Sequence, residues 1–327
     1  MFILVALLWS VFYYLSVFVG IFSLGTYLVG VLVQQLALRI PQNLKKKYNA
    51  EWGLVTGASS GIGKAIAEKL AEQEINVVLV ALDDPLANKT FAEFQKKYPK
   101  QNFRKVGVDL GDGSMKYMSE IIEATKDIEI TLLFNNAGYI STGLFEDASM
   151  DRLRANMECN ASCVIPITHH FLRKMMERGR RGLVTFTSSS ACYLPSPTAA
   201  MYGPTKAFLT NFATSLASEV RDAGIDVVVI HPSPVNTNFF KTQGPMLDSL
   251  RVALKAAGSP MNIANQIFAA AGRLTVWDQG LTSAGLRFLN RLLDFQVLSE
   301  LVVRFASLNG DHKKLVDSSS IRAKKNK

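Results

Sequence analysis

The apolar pattern of this chain changes character once, near residue 39. Residues 1–38 carry no charged side chain, and the run from Phe2 to Val33 is broken only by Ser, Thr, Gly and aromatic residues. Roughly 20 helical residues cross a hydrocarbon core about 30 Å thick, so this segment predicts one transmembrane helix with residues to spare. A cleaved leader would need a basic start and a shorter apolar core, and both are missing, so a retained anchor over 1–38 is expected.

Beyond it, short apolar runs alternate with amphipathic stretches. Runs ending at Thr56 and over 76–80, 103–108, 130–134, 183–187 and 226–230 predict strands. Helical patterns over 64–73, 88–98, 115–125, 150–177 and 202–221 lie between them. Such alternation predicts an α/β domain over 50–280, with a parallel sheet covered by helices on both faces. Helices over 246–257 and 262–271 are expected to cap a substrate cleft, and 274–277 to add an edge strand. Residues 281–306 predict one apolar helix that either packs on the domain or lies on a membrane surface, followed by a basic tail to residue 327.

Composition narrows the partners. The net charge is +9, but residues 39–47 and 311–327 each supply +4 of it, which leaves a nearly neutral body. Basic flanks on a neutral body fit a membrane surface rather than nucleic acid. The basic juxtamembrane linker over 39–49 follows the anchor, and the bias of Lys and Arg toward the cytosol is expected to place everything downstream there. Three cysteines, Cys159, Cys163 and Cys192, read as free thiols of a reducing compartment. Adjacent His169 and His170 have no partners at metal-ligand intervals, so no metal site is expected.

Candidate chemistry centres on Tyr202 and Lys206. A phenol and an ammonium four residues apart share one helix face, and the cation favours the phenolate, whose ordinary pKa is about 10. Far upstream, Gly57-Ala58-Ser59-Ser60-Gly61-Ile62-Gly63 links a strand to a helix start, the arrangement in which backbone N–H groups cradle a diphosphate. Asn135-Asn136-Ala137-Gly138 follows a buried strand, and Ser189 lies 13 residues before Tyr202.

In this order and spacing the four motifs resemble the short-chain dehydrogenase/reductase family over about residues 50–240. The resemblance implies a Rossmann-type doubly wound sheet and hydride transfer between a nicotinamide and a carbonyl or alcohol. It implies that Tyr202 is the acid/base, Ser189 the partner of the substrate oxygen, Lys206 the residue holding the cofactor ribose, and Asn160 the relay asparagine. Cofactor contacts are implied for Gly57, Ser59, Ser60, Gly61, Ile62, Gly63, Asp109, Asn136, Ala137, Gly138, Tyr202, Lys206, Val235 and Thr237. Two departures stand out: Pro204 lies between the tyrosine and lysine, and Ser233 replaces a glycine of the loop at 231–237.

Cofactor choice between NADP(H) and NAD(H) stays open. Asp83 and Asp84 would repel a 2′-phosphate, yet Ala81 occupies the position of the usual NAD-selecting aspartate. Lys324 and Lys325, fourth and third from the end, resemble the dilysine retrieval signal of endoplasmic reticulum proteins. Together these features resemble the membrane-bound branch that holds very-long-chain 3-oxoacyl-CoA reductases and 17β-hydroxysteroid dehydrogenases. The expected substrate is therefore a lipid-like small molecule, with 3-oxoacyl-CoA ahead of a steroid. A non-catalytic scaffold on the same fold is the competing expectation, and a homodimer is left open.

Overall fold

One long apolar helix precedes a seven-stranded sheet flanked by helices in this computed structural model, in which residues 2–237, 239, 244–255 and 257–323 are described. Lys324 and Lys325 lie outside the described residues. Helix α1 (Phe2–Leu38) is long and apolar enough to cross a membrane, and every residue from Phe2 to Phe22 is exposed.

Residues 39–49, the basic juxtamembrane stretch, pack against the domain. Asn43 caps helix α2 (Leu44–Tyr48) by accepting from Lys46 N, and Leu44 and Tyr48 are buried in the core. Gln42 Nε2 donates to the carbonyls of Phe268, Ala269 and Ala271 at the end of a helix, and Lys47 Nζ also donates to Ala271 O. Tyr48 donates from its hydroxyl to Asp226 Oδ2 at 2.7 Å.

Strand and helix then alternate: β1 (Trp52–Thr56), α3 (Gly61–Glu72), β2 (Asn76–Ala81), α4 (Pro85–Lys97), β3 (Phe103–Gly107), α5 (Lys116–Ala124) and β4 (Ile130–Asn135). After α6 (Met150–Met157) and α7 (Val164–Glu177) come β5 (Gly182–Thr187), α8 (Tyr202–Val220) and β6 (Ile225–Pro232). Helices α9 (Asp248–Leu254) and α10 (Pro260–Ala270) precede the edge strand β7 (Val276–Gln279). The strands run parallel in the order β3-β2-β1-β4-β5-β6-β7. Strands buried on both faces explain the continuous Val and Leu runs: α3 and α10 pack against one side, and α5, α7 and α8 against the other.

Two helices expected to be continuous are interrupted. The pattern over 150–177 is broken by a π-helical turn at Glu158–Ser162 that carries Asn160, the kind of bulge found at functional sites. The pattern over 281–306 divides into α11 (Gly280–Leu292) and α12 (Phe295–Phe305), because Leu293 turns to an extended conformation and Asp294 caps the second helix. Helices α13 (Gly310–Ser318) and α14 (Ser320–Ala323) follow.

Candidate active site

The strand order reverses between β1 and β4, and in such sheets the crevice beyond the carboxyl ends at that point is the place for a ligand. Both strands feed it. The turn after β1 holds Gly57 and Gly61 at φ +64° and +56°, a left-handed conformation that costs glycine nothing. A Cβ on Gly63 would stand 2.2 Å from Gly57 O, so the turn can close only with glycine there. Ser60, the N-cap of α3, is extended and makes no capping bond with its side chain, which leaves the N–H groups of the first turn open toward the crevice. This cradle fits a dinucleotide diphosphate.

The turn after β4 is held by a residue the motif reading passed over. Thr56 Oγ1 accepts from Asn136 N at 2.9 Å and Ala137 N at 3.0 Å, while Asn136 Nδ2 donates to Thr56 O. Its place at the end of the first apolar run, directly before Gly57, was the available signal. Thr187 extends the same support, donating to Asn136 Oδ1 at 3.2 Å.

Ser189 follows β5 and caps the short helical turn Ser190–Cys192, with Ala191 N donating to its Oγ. Helix α8 begins at Tyr202, so Pro204 lies in its first turn, where no backbone N–H is required. Tyr202 and Lys206, the latter 2% exposed, thereby enter the same crevice as Ser189. A cavity of about 320 Å³ is lined by Gly57, Ser60, Gly61, Ile62, Asn136, Ala137, Gly138, Ser189, Tyr202, Lys206, Val235 and Thr237 of the expected set. Ile140, Phe239 and Leu250 add an apolar rim that the motifs did not indicate.

Four expected residues are not on the cavity wall. Ser59 accepts from Thr90 Oγ1 through its carbonyl, and Gly63 sits behind Gly57. Asn160 lies one layer back, accepting from Tyr139 N at 2.8 Å and donating to Tyr139 O at 2.9 Å. Asp109 is exposed and turns its carboxylate to Gly111 N. Ser233, the departure from glycine, takes no left-handed conformation: its Oγ donates to Gln279 O and accepts from Ser283 N, tying the loop to β7 and α11.

Electrostatics revise one expectation. Burial pushes Tyr202 up to about 12, and its hydrogen bond with Ser189 pulls the other way. Burial lowers Lys206 to about 8, and its Nζ donates to Thr187 O at 2.9 Å rather than toward the phenol. Proximity of the amine alone therefore does not acidify Tyr202; desolvation of the phenol is the larger effect.

A family model for short chain dehydrogenases matches residues 51–248. The chain belongs to the short chain dehydrogenase family. Members of this family are oxidoreductases acting on alcohol and ketone groups. A very-long-chain 3-oxoacyl-CoA reductase of Coprinopsis cinerea is 31% identical over 205 residues, 61% of this chain and 58% of that protein. The inactive hydroxysteroid dehydrogenase-like protein 1 of Homo sapiens is 32% identical over 198 residues, 60% of this chain and 59% of its own. The chain thus spans less than two thirds of either relative. A solved structure concerned with 7β-hydroxysteroid dehydrogenase stereoselectivity superposes with a TM-score of 0.68 at 25% identity, covering 81% of this chain and 99% of that one.

Proposed function

We propose that this protein is a membrane-anchored, nicotinamide-dependent reductase of a lipid carbonyl, with a long-chain 3-oxoacyl-CoA as the substrate. The observation that carries the reading is convergence: Ser189, Tyr202 and Lys206 face one cavity whose far wall is the glycine cradle of Gly57 and Gly61. When bound, the nicotinamide supplies the hydride. Tyr202 gives a proton to the oxygen on which negative charge develops, and Ser189 donates a hydrogen bond to the same oxygen. Lys206 holds the ribose, while Val235 and Thr237 flank the nicotinamide end. Asn160, fixed on the peptide of Tyr139, stands behind Lys206 as the relay asparagine.

The cofactor is NADP(H) or NAD(H). Asp83 is ion-paired with Lys105 at 2.6 Å, which offsets part of the negative charge there, while Asp84 caps α4. Support for a lipid substrate comes from the apolar rim of the cavity and from α1. Exposed Leu281, Leu292, Phe295, Val303 and Phe305 on α11 and α12 extend the apolar surface beside α1, consistent with a bilayer against this face. The basic residues after the span support a cytosolic domain, and the dilysine-like Lys324 and Lys325 support an endoplasmic reticulum membrane. A steroid is the second reading, favoured by the apolar wall of Ile140, Phe239 and Leu250.

Purified protein in detergent should oxidise NADPH or NADH when given a long-chain 3-oxoacyl-CoA. Tyr202→Phe should lower kcat by about 10²–10⁴ while cofactor affinity persists. Turnover of steroid ketones alone would replace the acyl-CoA, and full activity in Tyr202→Phe would end the acid/base assignment.

A further inference from the structure

A polar chain, buried at its centre and partly exposed at its ends, runs from the catalytic helix to the apolar anchor. His231 on β6 and Asp278 on β7 are partners in strand register, and their side chains are 0% and 3% exposed. His231 Nδ1 lies 3.0 Å from Asp278 Oδ1. On the other side of the ring, Nε2 lies 2.9 Å from Thr210 Oγ1, and Thr210 donates to Lys206 O at 3.0 Å. Ser188 Oγ donates to the same carbonyl at 2.7 Å. Thr210 Oγ1 also lies 2.9 Å from Ser188 Oγ, and Tyr193 Oη lies 2.9 Å from His231 Nδ1, so Thr210 joins the imidazole to the carbonyl of the lysine turn.

Asp278 is the hub at the far end. Tyr193 and Ser283 donate to Oδ1, and Arg287 of α11 pairs with Oδ2 at 2.6 Å. The Arg287 guanidinium stands 5.7 Å from the ring centroid of Tyr27 in α1, and the Tyr27 hydroxyl donates to Ala284 O at 3.0 Å. Burial alone would lower the His231 pKa; hydrogen bonding to Asp278 and the nearby Cys192 outweigh it and hold the imidazolium up to about 9.

We infer that Asp278, His231 and Thr210 are positioning residues for the lysine turn of α8, and that Tyr27, through Arg287, makes the anchor helix part of that support. The inference rests on the reading of Lys206 as the residue that holds the cofactor ribose. The imidazolium locks the direction of the Thr210 hydroxyl, and that hydroxyl fixes the carbonyl of the turn from which the Lys206 side chain reaches the cavity. No residue of the set touches the reacting atoms.

Thr210→Val in the full chain removes the link without changing volume, and Thr210→Ser restores it. We expect Thr210→Val to weaken NADPH and NADH binding at least fivefold and to lower kcat per cofactor-bound site at least tenfold, with Thr210→Ser close to wild type. Tyr27→Leu should move both quantities the same way by at least twofold. In ¹⁵N-histidine spectra at pH 7.5, both ring nitrogens of His231 should read as N–H. Values for Thr210→Val within twofold of wild type, a loss confined to the active fraction, or a neutral His231 ring would overturn the inference. An unchanged Tyr27→Leu would remove the anchor from the set. If the wild type binds cofactor but reduces no carbonyl, the functional reading falls while the affinity and spectral results still decide this one.

Discussion

Lys206 shows most directly how a residue legible in sequence acquires properties that sequence does not give. Spacing placed it beside Tyr202, but whether the cation or the loss of water governs the phenol depends on depth, and Tyr202 is only 9% exposed. Desolvation wins, so both groups are shifted toward their neutral forms. The consequence can be measured. Lys206 falls from a usual 10.5 to about 8, so between those values the unfolded chain binds a proton that the folded chain does not. Stability from this group therefore rises with pH across that window, and at pH 7 the buried ammonium costs on the order of 3 kcal/mol. Lys206→Met should be the more stable protein at pH 7, and its advantage should shrink by pH 9.5 in urea unfolding of both proteins. An advantage that is the same at both values would show that the lysine is not held low.

At the scale of elements, the strands and the glycine turn could be read because their residues have no alternative. Gly63 is the sharpest case: Gly63→Ala puts a methyl 2.2 Å from Gly57 O and 2.7 Å from Asn136 Nδ2, so the cradle must open. Overpacking of this kind costs about 1–3 kcal/mol, and cofactor affinity should fall more than tenfold by calorimetry. Gly285 in exposed α11 is the opposite case, with nothing within 4 Å of an added Cβ; Gly285→Ala should raise the stability by about 0.5–1 kcal/mol. What escaped the sequence were interruptions that leave the periodicity intact. The π-helical turn at Glu158–Ser162 inserts no proline or glycine; beside it Asn156 and Asn160 both donate to the carbonyl of Tyr139, a partner that local periodicity does not reveal. Leu293 breaks the pattern over 281–306 between two apolar runs, where only Asp294 hinted at a new helix start.

For the whole molecule, the question is where the anchor ends and the catalytic body begins. Charge suggested residue 39, since the first cations follow it, but packing puts the boundary earlier. The Tyr27 and Phe288 rings meet tilted at 52° with 5.3 Å between centroids, Arg291 donates to Thr26 Oγ1 at 3.0 Å, and Arg273 donates to the carbonyls of Ala37 and Ile40. Among the described residues of α1, Phe2 to Phe22 are all exposed, and that length alone is about a membrane thickness. Removing residues 2–22 should therefore leave cofactor affinity within about threefold of the full chain and the unfolding midpoint little changed, because no buried residue is lost. Removing residues 2–48 deletes Leu44 and Tyr48 from the core and frees the carbonyls that Gln42 satisfies. Losing one buried leucine alone typically costs about 2–5 kcal/mol, a large share of a domain's stability, so this longer deletion should be recovered mainly as aggregate. Thermal unfolding and cofactor titration of the two truncations, side by side, test the boundary: equal stability would mean that residues 23–48 are a tether, and failure of both would mean that the body depends on the span itself.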